Sequence, residues 1–216
     1  MSLKMFVGEA LANFPTVGAI SPSSRFLANA MLEPLAFERT QVAVELGAGT
    51  GVITNALLER LPASATLLVF EINERFFECL RRSISDPRVI LINSSVEFLD
   101  TELYRRGIQQ VDAVVSSLGL AFIPDRQRHQ LFERLSPFLQ PRSVFTQYQY
   151  IHGLQFGEGG LSRFNLRPLL SRYFRSVQSK IEWRNLPPAF VFTCHDRLQK
   201  NKGKLFGEPL ASYRPL

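Results

Sequence analysis

Ten residues constrain this chain more than any others: Val42-Ala43-Val44-Glu45-Leu46-Gly47-Ala48-Gly49-Thr50-Gly51. A short apolar run enters a GxGxG turn, and a helical pattern leaves it at Val52. Glycines allow a sharp change of direction and let a ligand approach the main chain with no Cβ in the way. A buried strand feeding a helix through such a turn is the unit from which open α/β sheets are built. The spacing is GxGxG and not GxGxxG, so a dinucleotide pyrophosphate is the poorer ligand, and no GxxxxGKS/T run makes a Walker A loop.

The alternation continues downstream. Apolar runs at Val42–Leu46, Thr66–Phe70, Val89–Ile92, Val111–Val115 and Ser143–Tyr148 predict buried parallel strands. Helical patterns at Val52–Leu61, Glu74–Ile84, Val96–Arg105 and Arg126–Leu139 lie between them, which predicts a doubly wound α/β sheet. After residue 150 the rhythm changes. A glycine-rich turn (Gly153, Gly157, Gly159, Gly160) leads to a helix expected around Leu166–Tyr173. Runs at Val177–Trp183 and Ala189–Cys194 then flank Leu186-Pro187-Pro188, an antiparallel hairpin expected to close the sheet edge. Upstream, Leu3, Phe6, Val7, Ala10, Leu11 and Phe14 recur at helical spacing, and Ser21-Pro22 opens a second helix running to about Leu35. The expected organisation is a helical cap over 1–40, a main domain over 41–197 and a polar basic tail over 198–216.

Composition narrows the classes. A chain of 216 residues with 45% hydrophobic and 20% charged side chains has material for one core, which excludes wholesale disorder. Two cysteines, Cys79 and Cys194, form no metal-ligand spacing, so no metal is expected and a reducing compartment is favoured. No segment reads as a membrane span or a signal peptide, so any membrane is met from its surface. The charge is unevenly placed: residues 1–120 carry a net −3 and residues 121–216 a net +9. That excess suggests a cationic face for phosphate, on nucleic acid or on lipid headgroups; a merely solvated basic surface is the alternative.

Twenty residues beyond Gly51, at the end of the second predicted strand, stands Glu71. A carboxylate there is placed to accept both hydroxyls of an adenosine ribose. Glu45, the GxGxG turn and Glu71, in this order, resemble the class I S-adenosylmethionine-dependent methyltransferases. The resemblance implies S-adenosylmethionine as cofactor, held by Glu45, Gly47, Ala48, Gly49, Gly51, Glu71, Ile72, Ser95, Val96 and Ser116. Ser95 stands where that superfamily often has an aspartate near the adenine.

Three further segments, Val17–Arg25, Gln147–Tyr150 and Arg184–Ala189, resemble the bacterial phospholipid N-methyltransferases. This likeness spans residues from about 3 to 195. It implies a seven-stranded Rossmann-like sheet, N-terminal helices covering the cofactor, phosphatidylethanolamine as acceptor, and peripheral attachment to the anionic inner face of the membrane from the cytoplasm. Gly119 replaces a proline and Gln149 a small hydroxyl residue of that family, both beside the acceptor pocket. A ribosomal RNA adenine dimethylase is the next reading, but its Asn-Leu-Pro-Tyr is Ser117-Leu118-Gly119-Leu120 here. A small-molecule N-methyltransferase and a catalytically silent cofactor-fold protein are the others.

Methyl transfer from a sulfonium is an in-line displacement that asks the protein for alignment and exclusion of water. Tyr148 and Tyr150, on one strand face, are the catalytic candidates, offering ring faces to an ammonium and hydroxyls to its proton. Packing in the core is the alternative for either. Ser23, Ser24, Arg25, Ser117, Arg163 and Arg167 are the substrate-binding candidates; Arg172 and Arg175 extend the basic cluster, and His152 is a candidate base.

Overall fold

In the computed structural model the described residues are 24–151, 154–157 and 160–198. The expected Leu3–Phe14 helix, Ser23, His152 and the tail beyond 198 lie outside them. Helix α1 (Arg25–Leu32) precedes the first strand, and the parallel strands are β1 (Val42–Leu46), β2 (Thr66–Phe70), β3 (Val89–Ile92), β4 (Val111–Ser116) and β5 (Leu139–Tyr150). Between them lie α2 (Val52–Leu58), α3 (Glu74–Ser83), α4 (Leu99–Arg105) and α5 (Asp125–Leu135). A small hairpin of β6 (Leu154–Gly157) and β7 (Gly160–Arg163), a single turn α6 (Arg167–Leu170), and strands β8 (Phe174–Glu182) and β9 (Ala189–Arg197) complete the chain.

The main sheet has seven strands in the order β3-β2-β1-β4-β5-β9-β8. Strands β1 to β5 run parallel, whereas β9 is antiparallel to both β5 and β8. The predicted closing hairpin is therefore present, with its later strand inserted beside β5 and its earlier strand at the edge. Two apolar clusters form, one on each face. Val44, Leu46, Phe132, Phe145 and Phe174 belong to the cluster beneath α4, α5 and α6. Ala43, Val115, Val144, Leu57 and Met31 belong to the one beneath α1 and α2. The strict alternation along β1 and β5 is what splits the residues between faces.

Local chemistry sets the joints. Asp112 Oδ2 accepts from the Gln41 and Val42 amides at 2.8 and 2.9 Å, which pins the entry of β1 to β4. Arg88 donates to the Leu61 and Leu58 carbonyls at 2.6 and 2.8 Å, satisfying carbonyls at the end of α2. Asn73 caps α3 by accepting from the Arg75 and Phe76 amides.

Several boundaries differ from expectation. Helix α1 is capped by Ser24, whose hydroxyl accepts from the Leu27 amide at 3.2 Å, while the expected start at Ser21-Pro22 lies outside the described residues. The helix expected from Val96 opens as a 3-10 turn (Val96–Phe98) before α4, because Ser95 caps that turn first. The glycine-rich stretch is not a simple turn but the β6–β7 hairpin, and the following helix is four residues long. Glycines at strand ends had masked the strand signal there.

Candidate functional site

The carboxyl ends of β1, β2, β4 and β5 meet along one edge of the sheet, where ligands bind in open α/β folds. Gly47, Gly49 and Gly51 have φ of 78°, 55° and 83°, left-handed values that side chains resist. They differ in what a Cβ would meet. At Gly51 it would lie 2.7 Å from Leu80 Cδ2, so this glycine lets α2 pack against α3. At Gly49 it would meet nothing within 4 Å, so this glycine leaves open space over the loop.

Glu71 is 6% exposed and fastens the loop to β2. Its Oε2 accepts from the Gly49 amide at 2.8 Å and its Oε1 from the Asn73 amide at 2.7 Å. Burial raises its pKa, partly opposed by the Asn73 and Gly49 amides. Asn93, which the sequence reading passed over, donates through Nδ2 to the Glu71 carbonyl at 2.9 Å and fixes the strand end that carries the carboxylate. Ile72 follows, half-buried. Ser95 is buried and accepts from the Glu97 amide at 3.2 Å, so its hydroxyl caps the turn that contains Val96.

Glu45 is fully buried, and neither of its oxygens has a hydrogen-bond partner among the described residues. Burial pushes its carboxyl up to about 8, opposed by the adjacent Thr54 hydroxyl and assisted by the charge of Glu71. Glu45 stands in register with Val115 on β4, and Val115 with Thr146 on β5. The Thr54, Thr146 and Ser117 hydroxyls are likewise buried and unpartnered, so unmet polar capacity gathers on the α1 and α2 face beside the glycine loop. Ser116 is buried at the end of β4, its Oγ 3.5 Å from the Leu118 amide.

These features fit S-adenosylmethionine. The open space over Gly49 admits it, Glu71 has lone pairs left for ribose hydroxyls, and the orphaned Glu45 oxygens suit a cationic group. Ala48 is buried within the loop. The cofactor-binding candidates are thus brought to one edge.

Beside this edge opens a cleft of about 490 Å³. Its walls are Leu118–Phe122, the end of β5 with Tyr148, Gln149 and Tyr150, and Phe164 and Leu166. Among the described residues no charged side chain lines it. The Tyr148 and Tyr150 rings lie 5.4 Å apart with their planes at 68°, so they share a strand face as the alternation predicts. Burial raises the Tyr150 pKa, with the Tyr148 hydroxyl acting against it. Gln147 is fully buried and donates to the Leu118 carbonyl at 3.0 Å. Gln149 holds the far wall: its amide nitrogen donates to the Phe164 carbonyl at 2.5 Å and its oxygen accepts from the Leu166 amide at 3.1 Å. Arg128 braces the same wall, its guanidinium 4.5 Å from the Phe164 ring and donating to the Leu120 carbonyl at 3.1 Å. Sequence reasoning missed Phe164, Leu166 and Arg128; the one signal was the Phe-x-Leu pair after the glycines.

The remaining substrate candidates are dispersed. Ser117 donates its backbone N–H to the Leu46 carbonyl at 2.8 Å, between the glycine loop and the cleft. Ser24 and Arg25 start α1, which packs over the same face. Arg167 does not reach the cleft; its guanidinium donates to the Val177 carbonyl at 2.6 Å and Ser179 Oγ at 2.8 Å, which ties α6 to β8. Arg163 ends β7. No group of metal-ligating side chains occurs among the described residues.

Comparison with known proteins adds an independent line. Residues 43–142 match the family model of a methyltransferase domain. Over 191 residues the chain is 29% identical to the ornithine lipid N-methyltransferase of Singulisphaera acidiphila, covering 88% of this chain and 94% of that protein. A shorter likeness, 36% over 92 residues, is to ribosomal RNA small subunit methyltransferase H of Bordetella pertussis, covering 41% of this chain but 25% of that protein. Among solved structures, the 1,6-didemethyltoxoflavin-N1-methyltransferase of Burkholderia thailandensis, with bound 1,6-didemethyltoxoflavin and S-adenosylhomocysteine, superposes with a TM-score of 0.64. Its identity is 17%, over 89% of this chain and 87% of that one, so the likeness is one of fold.

Proposed function

We propose that this chain, an S-adenosylmethionine-dependent methyltransferase with a Rossmann-like fold, methylates the amino group of a membrane lipid. The observation that carries the reading is the cleft beside the glycine loop, which combines apolar walls with two tyrosine rings and, among the described residues, no charged side chain. Such a lining suits an ammonium headgroup attached to an acyl chain better than a phosphodiester backbone. The likeness to an ornithine lipid N-methyltransferase over nearly the whole chain supports it. Phosphatidylethanolamine is the acceptor read from the sequence, and ornithine lipid is the acceptor named for the relative.

When bound, S-adenosylmethionine supplies an electrophilic methyl group on a sulfonium that carries its own leaving group. The chain supplies position. Glu71 and the Gly49 amide set the edge of the donor pocket, and Glu45, two residues before the loop, holds a buried carboxyl without a partner among the described residues. Tyr148 and Tyr150 offer two ring faces, inclined at 68° to each other, to one cation. Since burial lifts the Tyr150 hydroxyl above its usual 10, it stays protonated at neutral pH and serves as a hydrogen-bonding group, not as the base. The apolar walls exclude water and disfavour the charged amine, so the ammonium sheds its proton to solvent before the nitrogen lone pair attacks the methyl carbon and the thioether leaves.

The test incubates purified protein and labelled S-adenosylmethionine with vesicles holding phosphatidylethanolamine or ornithine lipid, and separately with RNA and small amines. Methylated lipid, followed by mass, is the expected product. Label confined to RNA or small amines would overturn the lipid reading.

A further inference from the structure

The turn between β8 and β9 exposes two of the larger apolar side chains of the described residues. Trp183 is 68% exposed and Leu186 82%. Neither is there through loose packing, because the residues around them are anchored. Asn185 is 3% exposed, donates to the Pro187 carbonyl at 2.7 Å and accepts from the Ser24 amide at 3.1 Å. Ala189 is fully buried and pairs with Tyr150, and the Ile151 amide donates to the Pro188 carbonyl at 3.0 Å. A firmly held turn that points a tryptophan and a leucine outward is a surface made to meet something apolar.

Its position and charge say what. Strand β9 runs antiparallel to β5, so the turn lies at the same edge of the sheet as the carboxyl ends of β1 to β5 and the cleft. Two guanidinia lie by it, Arg184 and Arg25, at 4.5 and 5.0 Å from the centroid of the Phe26 ring. The neighbouring carboxylates are already committed: Glu182 to Arg184 at 2.9 Å, and Glu33 to Lys180. No carboxylate pairs with Arg25 among the described residues. An amphipathic indole and a leucine beside the Arg25 guanidinium match the headgroup layer of an anionic bilayer, where tryptophan resides and a cation near the surface adds attraction.

We infer that the Trp183–Leu186 turn is a membrane-docking tip, which enters the interface of an anionic bilayer and sets the cleft at headgroup level. This rests on the lipid reading above and gives that reading its route of approach: the acceptor need not leave the bilayer far to reach Tyr148 and Tyr150.

Trp183 is the only tryptophan of the chain, so its emission reports on the tip alone. The full chain is mixed with vesicles of phosphatidylglycerol and phosphatidylcholine, or of phosphatidylcholine only, with brominated lipid as a depth-dependent quencher. A blue shift and quenching with the anionic vesicles, reduced by salt, are expected. Leu186→Asp should weaken that binding by about tenfold or more, since it removes a leucine that would enter the bilayer and adds a repelled charge. Its affinity for S-adenosylhomocysteine should match the parent, which shows that the fold is kept. Trp183→Ala, followed by sedimentation, should behave likewise. An unshifted, unquenched Trp183 with anionic vesicles would overturn the inference, as would emission already blue and shielded from acrylamide without lipid, which means that protein covers the tip. Methylation of detergent-dispersed lipid with an unresponsive Trp183 would retain the acceptor and reject the tip. Quenching with no lipid methylated would retain the tip and reject the acceptor.

Discussion

The backbone amide of Ser24 donates to Oδ1 of Asn185 at 3.1 Å, across 161 residues of sequence. This bond joins the cap of α1 to the β8–β9 turn, and Asn185 closes the turn by donating to the Pro187 carbonyl. Two of the three segments that resemble phospholipid N-methyltransferases thus touch, and the third, Gln147–Tyr150, pairs with β9 through Tyr150 and Ala189. Asn185→Ala leaves a half-buried amide and a carbonyl without partners, so it should cost about 1–3 kcal/mol. Denaturant unfolding measures the loss, and protease cleavage ahead of Arg25 should quicken.

Glu71→Ala removes the acceptor for the Gly49 and Asn73 amides as well as the carboxylate expected to face the ribose. Affinity for S-adenosylhomocysteine should fall by about 2–4 kcal/mol, the scale of two charge-assisted hydrogen bonds. Titration calorimetry decides it; unchanged affinity would place the ribose elsewhere.

Burial holds the Glu45 carboxyl at about 8, above the ordinary 4.5. The folded chain therefore keeps a proton that the unfolded chain gives up. Stability from this group is complete below about pH 4.5 and is lost as the pH rises through 8. Melting of the ligand-free protein should decline across that window, and Glu45→Gln should flatten the decline. A cation brought beside Glu45 reverses the balance, so uptake of S-adenosylhomocysteine near pH 7 should release a proton. Calorimetry in buffers of different ionisation enthalpy counts it, and Glu45→Gln should abolish the release.

Gln149→Ala frees the Phe164 carbonyl and the Leu166 amide from β5. The far wall of the cleft then loses its register, at a cost of about 1–3 kcal/mol in stability. Michaelis analysis should show KM for the acceptor raised several-fold while affinity for S-adenosylhomocysteine stays as in the parent.

The donor half of the site was legible because its chemistry is local. Glu45, three glycines and Glu71 sit at fixed offsets from strand ends, and the strands around them are uninterrupted apolar runs. The acceptor half was harder to read because non-local bonds make it. Gln149 is a departure from a family pattern in sequence, and a two-pronged brace to residues 164 and 166 in space. Arg167 had the look of a phosphate ligand in a basic cluster, yet it ties α6 to β8, and only the fold reveals the Val177 carbonyl within its reach. Ser24 caps α1 because its hydroxyl meets the Leu27 amide, a contact that the Ser-Pro signal at 21–22 does not announce.

The insertion of β9 between β5 and β8 also orders the construction of the enzyme. During synthesis the glycine loop, Glu71 and the strands that carry them are complete before the cleft has an outer side. Strand β8, though made earlier, finds its sheet partner among the described residues in β9. Until Ala189 and its successors emerge, β5 presents a bare row of amides and carbonyls beside the tyrosines, an edge prone to join another chain. The residues that line the cleft, the last of them Leu166, thus emerge before β9 arrives to cover the β5 edge beside them.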